Sequence, residues 1–147
     1  MDVQEIMTPN PYCLNITDTI QHAAQEMKQH NIGVLPVCAG DTLAGIITDR
    51  DIVLGCVASG SLPGQCLVKE YMTANPFNVS PQTNIEEALQ VMSREQIRRL
   101  CVIQNGHVVG MLSLGDLVQH LPNDSRISQA LAQISEPVRG QLPVGVA

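Results

Sequence analysis

Gly45-Ile46-Ile47-Thr48-Asp49-Arg50-Asp51 and Gly110-Met111-Leu112-Ser113-Leu114-Gly115-Asp116 are the two stretches from which the rest of this chain is read. Each runs glycine, two apolar residues, a hydroxyl residue and, three places on, an aspartate; they lie 65 residues apart. The same offset aligns Val3-Gln4-Glu5-Ile6-Met7-Thr8-Pro9-Asn10-Pro11 with Val68-Lys69-Glu70-Tyr71-Met72-Thr73-Ala74-Asn75-Pro76. It also pairs Ile20, Ala23 and Met27 with Ile85, Ala88 and Met92, and Ile32, Leu35 and Val37 with Ile97, Leu100 and Val102. Without a gap, residues 3–56 and 68–121 share 16 identities in 54 positions. Unrelated apolar segments do not hold one register through every element, so the chain is a tandem duplication.

Each copy reads alike. Ile20-Ala23-Ala24-Met27 has helical spacing, opened by Thr17, Asp18 or Thr19 as the N-cap. Val34 to Cys38 reads as a strand whose Pro36 suits an edge or a strand end. Gly40-Asp41 turns the chain into a second strand, Leu43 to Thr48, and Asp49 to Cys56 follows as a helix. Copy two predicts a helix over 84–95, strands over 100–104 and 107–113, and a helix over 114–120. A short extended piece precedes each long helix, Tyr12 to Ile16 and Phe77 to Val79. The unit is β-α-β-β-α with a right-handed parallel crossover. Its three-stranded sheet is too small to stand alone, so the fold class is α+β, with the two repeats packed sheet to sheet. Val57 to Cys66 reads as a linker, Asn123-Asp124-Ser125 as the cap of a short helix to Ile134, and Pro137 to Ala147 as a frayed end. The expected organisation is 1–58, 67–122 and 123–147.

Composition bounds the function. With 147 residues, 44% hydrophobic and 15% charged, the chain is globular. A net charge of −6 with only eight Lys and Arg leaves no basic stripe for nucleic acid. No Trp, one Phe and two Tyr cannot build base-stacking platforms for single strands. No apolar run approaches the ~18 residues of a membrane span, and the acidic start is no signal peptide, so the expected compartment is cytoplasmic. The five cysteines form no C-x-x-C and no zinc framework. His22 and Glu26 stand one helical turn apart, but two ligands do not make a metal site. No nucleophile–base motif, Walker loop or G-x-G-x-x-G is present, which argues against an enzyme.

The repeat, its Met-Thr openings and the Gly-x-x-Thr/Ser-x-x-Asp stretches resemble a pair of CBS domains, the modules first named from cystathionine beta-synthase. The resemblance covers residues 1 to about 121 and is closest to free-standing bacterial pairs. It implies a pseudo-twofold axis, two clefts for adenosine-containing ligands, a regulatory role with no required cofactor, and association into a homodimer.

Thr48-x-x-Asp51 and Ser113-x-x-Asp116 fit two uses. One is a capping box at a helix start. The other is ligand binding: the carboxylate takes both ribose hydroxyls, as the family's aspartate does, and the hydroxyl with free helix amides holds a phosphate. Copy two carries Arg98-Arg99 where copy one has Gly33-Val34, and a guanidinium pair suits polyphosphate. The Asp116 cleft is therefore expected to be the better nucleotide site, combining Ser113, Arg98 and Arg99 with Thr17 or Asp18, Ala23, Ile32 and Val34, although a carboxylate at Asp18 repels phosphate. The second cleft is expected to use Thr48, Asp51, Thr83, Ala88 and Ile97, with Arg50 as its phosphate partner. The implied ligand is AMP, ADP, ATP or an NAD-like molecule; the alternative is a structural or redox-responsive interaction module with empty clefts. A dimer face is expected around Ala24, Leu89 and Met92. Cys13 and Cys38, replaced by Asn78 and Ile103 in copy two, are either a disulfide between neighbouring strands or two ordinary buried thiols.

Overall fold

Helix starts are set by local chemistry. The Thr19 hydroxyl accepts the His22 amide at 3.0 Å and the Asn84 side-chain oxygen accepts the Glu86 amide at 2.8 Å, capping α1 (Ile20–His30) and α3 (Ile85–Glu95). Of the three residues that suit the first cap, Thr19 is the one used. Thr17 and Asp18 instead close the preceding turn, the Thr17 hydroxyl donating to Asn15 and the Asp18 carboxylate accepting the Asn15 amide. Both helices end at a left-handed residue, Asn31 and Gln96.

The computed structural model describes residues 1–121 and 123–136. Before α1 lie β1 (Thr8–Pro9) and β2 (Leu14–Asn15); after it come the hairpin strands β3 (Val34–Ala39) and β4 (Thr42–Thr48). Then α2 (Asp49–Asp51) runs on as a π-helical stretch, Ile52–Val57. The second copy repeats this with β5 (Thr73–Ala74), β6 (Asn78–Val79), α3, β7 (Arg99–Gln104), β8 (His107–Ser113) and α4 (Leu114–His120), and α5 (Ser125–Ile134) follows. The expected frayed end, 137–147, lies outside the described residues. Among the described residues no helix is long and apolar enough to cross a membrane.

The sheets depart from the expected three strands. Their orders are β2-β3-β4-β5 and β1-β8-β7-β6, so each sheet has four strands and the outer one beside β4 or β8 comes from the other copy. Thr8 pairs with Met111 and Pro9 with Gly110, while Thr73 pairs with Ile46 and Ala74 with Gly45. The Val3 amide donates to the Thr83 carbonyl at 2.8 Å, and the Val68 amide to the Asp18 carbonyl at 2.9 Å. Val3 and Ile6 enter the core of copy two, and Val68 enters the core of copy one. The two openings are exchanged. This explains the glycine that begins each signature: a Cβ on Gly45 would lie 2.5 Å from Met72 Sδ and 2.8 Å from the Thr73 carbonyl, and one on Gly110 would collide with Met7.

Pro36 does not mark an edge, because β3 is an inner strand. The Asp49 amide donates to the Gly33 carbonyl, so by antiparallel alternation Leu35 and Val37 bond to β4 and Pro36 faces the other side. There β2 pairs only with Val37 and Cys38, and no ladder bond is lost at Pro36. The helix α5, capped by Asp124, packs on α3: Ser93 donates to Gln133 at 2.5 Å, and Ala130 is buried. Leu89 and Met92 are thereby buried within the chain, which removes them from the dimer face expected of them. Ala24 remains exposed.

Candidate functional site

Two clefts lie between the copies, and the duplication relates them residue by residue. The larger, about 700 Å³, is lined by Ser113 and Asp116 of copy two and by Tyr12, Ile32, Gly33 and Val34 of copy one. The smaller, about 300 Å³, is lined by Thr48 and Asp51 of copy one and by Phe77, Ile97, Arg98 and Arg99 of copy two. Thr8 and Pro11 on the first correspond to Thr73 and Pro76 on the second. Val34 and Arg99, which occupy matching positions, line both clefts.

The hydroxyl–aspartate pairs form capping boxes. Asp51 Oδ2 accepts the Thr48 amide at 2.8 Å, and Thr48 Oγ1 accepts the Asp51 amide at 3.1 Å. Asp116 and Ser113 repeat this at 2.8 and 3.0 Å. In each carboxylate the amide bond engages Oδ2, and both aspartates line a cleft. Capping leaves each carboxylate beside its cleft, held in one rotamer by the amide bond.

Other expected residues are placed differently. Arg98 borders the Asp51 cleft, as Gly33 at the matching place borders the Asp116 cleft, and with Arg99 it also borders a shallower pocket beside Ser113 and Gly115 at the start of α4. Arg99 serves both. Ala23 and Ala88 are fully buried in the cores of their own copies and face neither cleft. Thr17, Asp18 and Thr83 lie in the turns that anchor the exchanged openings, Thr83 Oγ1 accepting the Ser80 amide at 3.1 Å. Arg50 is exposed and lines neither cleft; its amide donates to Asp49 Oδ1.

Tyr12 and Phe77, absent from the sequence reading, are two of the chain's three aromatic residues, and each lines one cleft. Their 65-residue spacing was the signal that marks them. The Tyr12 hydroxyl is 3.1 Å from His22 Nε2, and its ring centroid is 5.7 Å from that of His30, another residue of the larger cleft. Burial, then the Glu26 and Asp18 carboxylates, push the Tyr12 phenol above its ordinary value, so its proton stays on at neutral pH. Glu26 lies between His22 and His30 at 3.9 and 3.8 Å, and among the described residues no three metal-ligating side chains converge.

All five cysteines are free thiols. The register sets Asn15, not Cys13, opposite Cys38, so Cys13 and Cys38 are diagonal neighbours in contact. Burial, followed by the Cys38 and Cys101 sulfurs, pushes the Cys13 thiol up to about 12, and burial followed by Cys38 does the same to Cys101.

The family model described as CBS domain matches residues 3–56 and 68–123. The chain is 38% identical over 133 residues to the CBS domain-containing protein YhcV of Bacillus subtilis, covering 90% of this chain and 94% of that protein. Among solved structures it is similar to CBSX2 in complex with AMP, with TM-score 0.69 and 26% identity over 81% of this chain and 94% of that one. It is also similar to the CBS domain pair of protein MJ0100 in complex with 5-methylthioadenosine and S-adenosyl-L-methionine, with TM-score 0.74 and 25% identity over 83% and 96%. The exchanged openings, the paired clefts and the matched sequence agree: the chain belongs to the CBS domain family, as a tandem pair.

Proposed function

We propose that the protein is a regulatory sensor that binds an adenosine-containing nucleotide, and that the Asp51 cleft takes the phosphorylated ligand. One observation carries this reading: Asp51, Thr48, Phe77, Arg98 and Arg99 border a single cleft of about 300 Å³. Asp51 accepts the ribose hydroxyls, Phe77 and Ile97 offer an apolar face to adenine, and the two guanidinium groups meet the phosphates. The Asp116 cleft has the same ribose and aromatic features with Arg99 alone, so it is the weaker phosphate site. CBSX2 with AMP and the MJ0100 pair with 5-methylthioadenosine and S-adenosyl-L-methionine support an adenosine end as the common element. Binding regulates by favouring one of two arrangements of an interface.

Isothermal titration with adenosine, AMP and ATP tests this. Wild type binds AMP or ATP more tightly than adenosine, and Arg98→Ala narrows that difference and flattens the salt dependence. Asp51→Ala weakens binding more than Asp116→Ala. The opposite order reassigns the clefts; no binding at millimolar concentration leaves the empty-cleft interaction module.

The interface is that of a homodimer. Val53, Leu54 and Val57 on the π-helical stretch and Val118 on α4 are large apolar side chains left exposed, at corresponding places in the two copies for Val53 and Val118. Isologous pairing is the commonest way to cover such a face. Light scattering at tens of micromolar is expected to return twice 15.9 kDa; a 15.9 kDa species refutes the dimer.

A further inference from the structure

A second pair of thiols sits at the two ends of the segment joining the copies. Cys56, in the last turn of the π-helical stretch, is fully buried, and Cys66, just after the turn Pro63–Gln65, is 8% exposed. The chain between them doubles back: the Ser61 amide donates to the Cys56 carbonyl at 3.2 Å, and the Cys56 thiol donates to the Ser61 carbonyl at 3.7 Å. Cys66 is held from the other side, its carbonyl accepting the Ile20 amide at 2.8 Å. Tyr71 spans the pair. Its hydroxyl donates to Cys66 Sγ at 3.9 Å, and its ring lies against Gly55, where a Cβ would sit 2.5 Å from Cδ1. Both thiols lie in the buried core of copy one, and burial first, then Cys66, pushes the Cys56 thiol up. Copy two has Leu121 at the place of Cys56, so the fold asks only for an apolar side chain there.

We propose that Cys56 and Cys66 are a reversible redox pair, joined as an intramolecular disulfide by reaction with a low-molecular-weight disulfide R–S–S–R. Cys66, whose sulfur accepts from the Tyr71 hydroxyl, is the more exposed of the two, so its thiolate is the one an incoming disulfide reaches. That thiolate attacks one sulfur of R–S–S–R, forming Cys66–S–S–R and releasing R–S⁻, which takes up the proton Cys66 gave up. Cys56 then loses its proton and attacks the Cys66 sulfur, forming the protein disulfide and expelling the second R–S⁻, which takes that proton. Two protein thiols are oxidised by two electrons, and one R–S–S–R is reduced to two R–SH. The new bond fastens the helical run that begins at Asp49 to the start of α1 and closes the linker into a ring, which restricts the unfolded chain.

Treating the folded full-length protein with oxidised glutathione, alkylating the remaining thiols and mapping tryptic peptides tests the pair. Cys56 and Cys66 lie on one tryptic peptide, 51–69, whereas Cys13 and Cys38 lie on two, so the two possible bridges are told apart. The 51–69 peptide is expected unalkylated and lighter by two hydrogens, with a melting temperature that rises on oxidation and returns after dithiothreitol. In Cys56→Ser, glutathione is expected to remain on Cys66. Alkylation of both cysteines in oxidised wild type overturns the proposal. So does glutathione that stays on wild-type Cys66, or a bridge that forms only after the protein unfolds; none of these outcomes depends on nucleotide binding.

Discussion

Asp51 performs two tasks with one carboxylate: it caps a helix through the Thr48 amide and presents itself to a cleft. The two tasks separate by substitution. Asp51→Ala removes the carboxylate half of the capping box while the Thr48 hydroxyl still accepts the residue-51 amide, costing about 0.5–1.5 kcal/mol of stability, and loses a hydrogen bond to a charged group, costing about 1.5–3 kcal/mol of nucleotide binding. Asp51→Asn keeps an oxygen for the Thr48 amide but places an amide donor toward the ribose hydroxyls. Its urea midpoint is expected close to wild type while its nucleotide affinity falls nearly as far as that of Asp51→Ala. A variant that binds as wild type would reduce Asp51 to a capping residue. The capping chemistry was legible because it spans three residues of sequence. The placement of Arg98 was not, because a residue ahead of β7 faces a cleft whose aspartate stands at the start of α2 in the other copy.

At the scale of elements, the exchanged strands β1 and β5 decide more than their two-residue lengths suggest. Each completes the other copy's sheet and lies against its signature glycine. Gly45→Val places a branched side chain against Met72 and the Thr73 carbonyl, so β5 has to move; overpacking of this kind costs about 1–3 kcal/mol in chemical unfolding. Gly115→Ala is the control. Its Cβ meets only Ser113 Oγ at 3.5 Å, inside α4, where alanine is the better helix former. An equal loss in both variants would show that the strand contact carries no stability. The pairing partners of these short strands were not legible in nine aligned residues, since a strand so short has no pattern of its own and takes its place from the sheet edge it meets.

The molecule as a whole is tied together by that exchange. Val3 and Ile6 are in one core and Val68 in the other, and each copy's opening is pinned by a turn of its neighbour. Neither copy keeps a complete sheet and core when separated. Calorimetry is therefore expected to show one transition with equal calorimetric and van't Hoff enthalpies; two resolved transitions would mean that the copies fold independently.

The duplication, the β-α-β-β-α order and the hydroxyl–aspartate pairs were determined by the sequence alone, because each is a matter of register or of neighbours within one turn. Tertiary structure alone decided the swap of the openings, the burial of Leu89 and Met92 under α5, the inner place of Pro36, and the meeting of Arg98, Arg99 and Phe77 with Asp51. These all join residues far apart in the chain, and an approximate twofold axis makes the partner of each residue the counterpart of its sequence neighbour, not the neighbour itself.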